Sequence, residues 1–168
     1  MERIVDVANY IYEEYKVISG GKHIDELKLH KLLYLAQRES LAITNEPLFA
    51  ESMQGWVHGP VSPEVRNAYI DGDLVFFENI NELKPENEYI VKSVLIQYGG
   101  LESWKLSELT HRETSWINSR NGLASNQPGR RELKIQDIRE DSYKIRPYDP
   151  IWDMYYDEFD DFEDEAAQ

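Results

Sequence analysis

A leucine-rich segment in the first quarter of the chain is the feature that most constrains its fold. Residues 24–37 read IDELKLHKLLYLAQ. Several of the apolar residues recur at the three- and four-residue spacing of one helical face: Leu29, Leu32, Leu33 and Ala36. Two further leucines widen this face, and a helix that is apolar around so much of its circumference is typically packed on several sides. The sequence therefore predicts a central helix from an Asp25 N-cap to about Leu41.

Glycine and proline divide the rest of the chain into short segments. Helical spacing of apolar residues predicts helices over residues 3–18, 64–69, 86–98, 101–109 and 135–143, a turn followed by a helix over 110–120, and a loop over 121–129. Residues 52–58 are interpreted as a short extended segment closed by Gly59 and Pro60, and residues 74–80 as a short strand or an irregular packed segment. The predicted fold is mainly α: a compact multi-helix single domain with a small β element and an acidic C-terminal tail.

The absence of cysteine narrows the chemistry open to the chain. With 168 residues the chain can form one domain with a substantial core. Without cysteine it has no disulfide, thiolate nucleophile or Cys-ligated zinc. No apolar run reaches the length of a signal peptide core or a membrane span. We therefore expect a cytoplasmic protein without a membrane partner.

The net charge of −14 is concentrated at one end of the chain. Residues 149–168 contain nine acidic residues and no lysine or arginine, which leaves a net charge of −5 on residues 1–148. Affinity for nucleic acid comes mainly from basic side chains that neutralise phosphates, so direct nucleic-acid binding is not expected of either part. A partner that is basic at the contact is the better electrostatic match.

The acidic tail also carries aromatic rings at helical spacing. The rings form one stripe: Trp152, Tyr155, Tyr156, Phe159 and Phe162. Acidic residues lie between them and include Asp157, Asp160 and Asp161. A solvated acidic tail needs no aromatic residues, so the stripe is expected to bury itself against the protein's own body or in a groove on a partner. We predict a domain over residues 1–145 and a partner-binding tail over residues 146–168.

The sequence contains no motif that is typical of an enzyme. The four histidines, His23, His30, His58 and His111, are far apart and form neither HxxxH nor HExxH. A GxSxG nucleophile motif and a phosphate-binding loop are also absent from the sequence. His111 and Glu113 are interpreted as a capping and hydrogen-bonding pair, with a general base as the alternative. We expect no catalytic activity, no cofactor and no metal.

Four stretches in a fixed order carry a resemblance to a known family. They are VANYI at residues 7–11; LKLHKLLYLAQ at 27–37 with PLF at 47–49 and GWVHGPV at 55–61; the Tyr98-Gly99 helix end with LSELTH at 106–111; and the segment from Glu113 to Trp116. The turn WVHGPV, at this distance after the leucine–tyrosine helix, is the most specific of them. With this set, residues 3–145 resemble the Panacea antitoxin family, also described as SocA-like or phage-associated GepA-like proteins.

The resemblance implies a compact, mainly α fold and an antitoxin that neutralises a toxin, usually encoded by the adjacent gene, through direct protein contact. The family pairs one scaffold with many toxins, and one member is described as a protease adaptor. The motif residues to which it assigns a role in the fold or in toxin contact are Leu29, Lys31, Leu32, Tyr34, Trp56, Gly59, Pro60, His111 and Trp116. Trp56 is interpreted as core, with binding as the alternative. His58 departs from the family, which more often has an aromatic residue there.

Two other functions remain open at this point. An acidic aromatic tail on a phage-type protein could mimic nucleic acid, or act as an adaptor, and inhibit a host nucleic-acid-binding protein. A small hydrolase would need a histidine and a carboxylate to converge in space. The partner that we expect first is a cognate protein toxin from the adjacent gene, basic at the contact.

Overall fold

The leucine-rich segment forms the helix around which the other elements pack. The computed structural model describes residues 1–70, 73–74 and 81–146. Within these ranges the helices are α1 (Ile4–Ile18), α2 (Glu26–Thr44), α3 (Pro63–Ala68), α4 (Pro85–Tyr98), α5 (Ser103–Thr110), α6 (Thr114–Ser119) and α7 (Ile135–Ser142). The strands are β1 (Gln54–Trp56), β2 (Gly59–Val61), β3 (Tyr69–Ile70) and β4 (Asp73–Leu74), in two antiparallel pairs, β1–β2 and β3–β4. The predicted mainly α fold with a small β element is confirmed.

Helix α2 is central, as its apolar circumference predicts. The side chain of Asp25 caps it by accepting a hydrogen bond from the Lys28 N–H at 2.9 Å. The helix continues to Thr44, past the predicted end at Leu41, and closes at Asn45 in the left-handed conformation. Every residue from 28 to 41 is buried, and α2 packs against α1, α4, α5, α7 and β2. The charged side chains of this stretch, Lys28, Lys31, Arg38 and Glu39, are therefore buried together with its leucines.

The hairpin of β1 and β2 is built around a glycine. Gly59 has φ +110°, and a Cβ there would lie 2.6 Å from Cε of Lys31 and 2.7 Å from Oγ1 of Thr110. Only glycine combines this backbone conformation with so close an approach. Residues 131–133 run beside β1: the Gly55 N–H donates to the Arg131 carbonyl at 2.9 Å. The hairpin is thereby fixed between α2 and the segment that precedes α7.

Helix α3 begins directly after the hairpin. The Ser62 side chain accepts the Val65 N–H at 3.2 Å, and Pro63 occupies the first turn, where its missing N–H costs nothing. The predicted helix over 64–69 ends one residue early, because Tyr69 pairs with Leu74 in the β3–β4 ladder. Of the predicted segment 74–80, residues 75–80 lie outside the described residues.

The loop over residues 121–129 is fastened by one side chain. The Arg120 guanidinium donates to the carbonyls of Gly55 at 3.1 Å, Ala124 at 3.2 Å and Gln127 at 2.6 Å. The loop is therefore bonded to the hairpin. None of the described helices is long and apolar enough to cross a bilayer. Of the predicted tail over residues 146–168, residues 147–168 lie outside the described part of the chain.

Candidate functional site

A groove opens where the start of α2, the hairpin, α3 and the 121–129 loop meet. We call it the Trp56 groove. Its lining residues are Glu26, Leu27, His30, Trp56, Val57, His58, Val61, Arg66, Asn126, Pro128, Gly129 and Arg130. Its volume is about 560 Å³, which is within the range of sites that hold a small molecule or a few side chains of a partner.

The indole ring of Trp56 is half-buried and has two guanidinium groups near it. The Cζ atom of Arg66 is 5.1 Å from the ring centroid, and that of Arg130 is 5.8 Å from it. The Trp56 Nε1 donates to Gln54 Oε1 at 3.0 Å, so the polar edge of the ring already has a partner. The interpretation of Trp56 as core is thus wrong in part: the ring lines a surface groove, where both guanidinium groups are within cation–π distance of it.

Backbone contacts of neighbouring residues place both arginines. Arg66 is on α3, one turn after its Ser62 cap, and it forms an ion pair with Glu26 of α2. Arg130 lies between Arg131, whose carbonyl is bonded to the hairpin, and the buried Gly129. Arg130 is exposed, and no carboxylate of the described residues pairs with it. In the groove, therefore, Glu26 neutralises the charge of Arg66, whereas Arg130 has no carboxylate partner among the described residues.

His30 and Glu26 form the wall of the groove on α2. His30 is 1% exposed, its Nδ1 accepts the Ser62 N–H at 3.3 Å, and its Nε2 is 3.4 Å from Glu26 Oε1. Burial lowers the pKa of His30, although the Glu26 carboxylate opposes this effect. The hydrogen bond to His30 and the charge of Arg66 hold the pKa of Glu26 below its ordinary value, against the effect of burial. His58, in contrast, is exposed at the groove.

Beneath the hairpin, a lysine of α2 is completely buried. Lys31 is 0% exposed, and its Nζ donates to the Pro60 carbonyl at 3.0 Å. Burial lowers the pKa of Lys31 from 10.5 to about 7, against the raising effects of Asp25 and Glu26. The motif residues Lys31, Gly59 and Pro60 thus form one contact that joins α2 to the turn of the hairpin.

A ring stack supports the hairpin from its other side. The His111 and Trp116 rings are stacked with centroids 4.1 Å apart and planes 16° apart. The Trp116 Nε1 donates to the Trp56 carbonyl at 2.9 Å. Burial lowers the pKa of His111, and its Nε2 is buried without a hydrogen-bond partner among the described residues. The interpretation of His111 and Glu113 as a capping pair is wrong, because Glu113 turns inward to α2 and its side chain does not cap α6.

A cluster of polar residues lies under the middle of α2. We call Tyr34, Arg38, Glu113, Ser115 and Asp141 the buried polar cluster. The Tyr34 hydroxyl is 2.9 Å from Ser115 Oγ and donates to Asp141 Oδ2 at 3.0 Å. Arg38 donates to Glu113 Oε1 at 2.6 Å and to the Tyr98 hydroxyl at 3.0 Å. Most of these polar groups satisfy one another, so that Arg38 of α2 can be accommodated in the interior, although its Nε has no hydrogen-bond partner among the described residues.

Asp141 of α7 holds the start of α6. Its carboxylate is 0% exposed and accepts the N–H groups of Thr114 at 2.7 Å and Ser115 at 2.9 Å. Burial raises the pKa of Asp141, but hydrogen bonds from Ser115, Lys144 and Thr114 outweigh this effect, and the pKa is below its ordinary value. Burial raises the pKa of Glu113 despite the opposing charge of Arg38. Asp141 therefore accepts the hydrogen bonds at the start of α6 that the side chain of an N-cap residue would otherwise accept.

The structure distributes the predicted motif residues over three places. Leu29 and Leu32 are in the core, Tyr34 is in the buried polar cluster, and the others surround the hairpin. Among the described residues, no group of His, Asp or Glu has an arrangement that could hold a metal. The predicted contacts of the tail, from Trp152 to Phe162, fall outside the described residues.

Sequence reasoning missed Arg66, Arg130 and Asp141. The arginines are far apart in the sequence, and no periodicity links them to Trp56. A signal for Asp141 is the burial of Tyr34 on a central α2, because a buried hydroxyl requires a hydrogen-bond partner elsewhere in the chain.

Comparison with known proteins points to one family. Residues 29–117, slightly more than half of the chain, match the family described as "Antitoxin SocA-like, Panacea domain". The match includes most of α2, the hairpin, α3 and α6 up to Ile117, and so it contains Trp56 and Arg66. Arg130 and Asp141 lie beyond it. No curated protein and no solved structure matches the chain.

Proposed function

Because this chain belongs to the family of SocA-like antitoxins with a Panacea domain, we propose that it neutralises a cognate protein toxin by binding it directly, and that the Trp56 groove is the contact surface on its body. The action is stoichiometric binding without catalysis or a cofactor. The toxin is a product of the adjacent gene, and both proteins act in the cytoplasm.

One observation supports the groove most strongly as the contact. Trp56 is half-buried in the free chain, and two arginines fix its ring, so that part of a large apolar surface stays open to a partner. Tryptophan and arginine are the residues most enriched at the energetic centres of protein interfaces. A ring that is already fixed loses little conformational entropy when a partner covers it.

The acidic stretch over residues 149–168 supplies a second part of the proposal. With nine acids and no base it favours a basic surface on the same toxin and speeds the encounter at low salt. The alternative that this stretch mimics nucleic acid depends on residues outside the described part and stays a prediction.

Co-expression of the chain with its adjacent gene tests the proposal. Wild-type chain should restore growth, and Trp56→Ala should not. The matched control is Trp104→Ala, because Trp104 on α5 is 61% exposed and also has a cation near its ring, Lys105 at 5.5 Å. We expect Trp104→Ala to restore growth as wild type does.

Two results would count against the proposal. An adjacent gene that is harmless when expressed alone would remove the antitoxin function. Full rescue of growth by Trp56→Ala, at a protein abundance equal to wild type on a blot, would show that the toxin does not bind at the groove.

A further inference from the structure

The Trp56 groove has a local charge that is opposite to that of the chain. Residues 1–148 carry a net charge of −5, yet two arginines border the groove. Among the described residues the groove has one lining carboxylate, Glu26, which is already engaged by Arg66 and His30. The positive charge that remains belongs to Arg130.

Arg130 is prepared to receive a carboxylate. Its Cζ is 5.8 Å from the Trp56 ring centroid, and a guanidinium carries its N–H donors in its plane, where a carboxylate can accept two of them in parallel. Arg130 is exposed, and no carboxylate of the described residues lies within ion-pair distance of it. Because the neighbouring backbone is bonded to β1, little ordering of the backbone is left to be done on binding.

The rest of the groove is mostly apolar, although His58 and Asn126 also line it. Leu27 and Val57 are half-buried, Val61 is buried, and Pro128 is exposed. A volume of about 560 Å³ exceeds what one carboxylate needs and leaves room for an aliphatic or aromatic side chain beside it. A purely polar ligand would leave this surface uncovered.

We propose that the Trp56 groove binds an acidic peptide segment of the partner, in which Asp or Glu pairs with Arg130 and an apolar side chain within about three residues of it packs against Trp56. That the segment belongs to the toxin rests on the function proposed above. The toxin then presents two signs of charge: a basic surface toward the acidic stretch of the chain and an acidic segment in the groove. Such alternation favours one partner over others that have only one of the two charges.

Selection of random displayed peptides on the immobilised full-length chain tests the chemistry of the groove without the toxin. We expect the enriched peptides to contain Asp or Glu close to an aromatic or aliphatic residue. A synthetic representative should bind Arg130→Glu about tenfold or more weakly than wild type. The matched control is Lys105→Glu, which reverses a cation near Trp104, and it should stay within about twofold of wild type.

Three results would overturn the inference. Enriched peptides could lack an acidic bias, or they could bind Arg130→Glu as tightly as wild type. In the third, a full-length variant with Trp152, Tyr156 and Phe159 changed to alanine could bind the peptide about tenfold more tightly. That increase would show that the chain's own acidic stretch competes for the groove, and it would make this stretch, instead of a partner, the occupant.

The same variants separate this inference from the function on which it rests. If the adjacent gene product forms a complex with wild-type chain and Arg130→Glu leaves its affinity unchanged, the acidic-segment inference is wrong and the antitoxin function stands. If no complex forms while acidic peptides still require Arg130, the antitoxin function is wrong and the chemistry of the groove stands.

Discussion

The Trp56 groove and the buried polar cluster are built from the same kinds of residue, and α2 contributes to both. Each combines an aromatic ring with arginine and carboxylates. In the buried polar cluster the acceptors and donors largely satisfy one another, with Tyr34 at 0% exposure. In the Trp56 groove the ring is half-open and Arg130 has no carboxylate partner among the described residues. The buried polar cluster therefore stabilises the fold, whereas the Trp56 groove still has an exposed ring surface and a cation with which a partner can interact.

The largest loss of stability is expected from Asp141→Ala. It removes the acceptor of the Thr114 and Ser115 N–H groups and of the Tyr34 hydroxyl, and so leaves buried donors unsatisfied. We expect the free energy of unfolding to fall by about 3–5 kcal/mol in urea titrations. Glu140→Ala, an exposed neighbour on α7, should change it by less than about 0.5 kcal/mol. Equal effects of the two variants would show that the cluster does not stabilise the fold.

Gly59→Ala is expected to have the next largest effect. It combines a positive φ with a Cβ that would contact Lys31 and Thr110, and we expect a loss of about 2–3 kcal/mol in the same titration. Gly122→Ala is the control for the backbone alone, since φ is +81° there and the space around it is open. That variant should lose about 1 kcal/mol. If Gly59→Ala and Gly122→Ala lowered the free energy of unfolding by the same amount, the close approach of Lys31 to Gly59 would not contribute to the loss of stability.

The pH dependence of stability should reveal the buried Lys31. Its pKa is about 7 in the folded chain and 10.5 when unfolded, so the unfolded state binds more protons between these values. The free energy of unfolding contributed by Lys31 therefore rises with pH over this interval, by up to about 1.4 kcal/mol per pH unit. Lys31→Met removes the titrating group. Parallel stability profiles of wild type and Lys31→Met above pH 7 would contradict a neutral buried lysine.

Arg130→Glu should have the smallest effect on stability. Arg130 is exposed, and its cation–π contact with Trp56 contributes about 0.5–1 kcal/mol. We expect a melting temperature within about 4 °C of wild type by differential scanning fluorimetry. A larger drop would place Arg130 with the residues that stabilise the fold and would weaken the contrast with the buried polar cluster.

The sequence predicts the elements better than the contacts between them. Helix α2 and its Asp25 cap depend on local spacing and capping, and these predictions are confirmed. The Trp56 groove brings together residues from α2, the hairpin, α3 and the segment before α7. Such long-range contacts leave no periodicity in the sequence, so Trp56 was interpreted as core and Arg130 was missed.

The affinity of the purified adjacent gene product for the full-length chain tests the central claim most directly. Isothermal titration calorimetry should show binding to Arg130→Glu weakened about tenfold or more at an unchanged melting temperature. Lys105→Glu should bind as wild type does. An unchanged affinity of Arg130→Glu, measured against the same toxin, would contradict the claim that the Trp56 groove is the surface that binds the partner through Arg130.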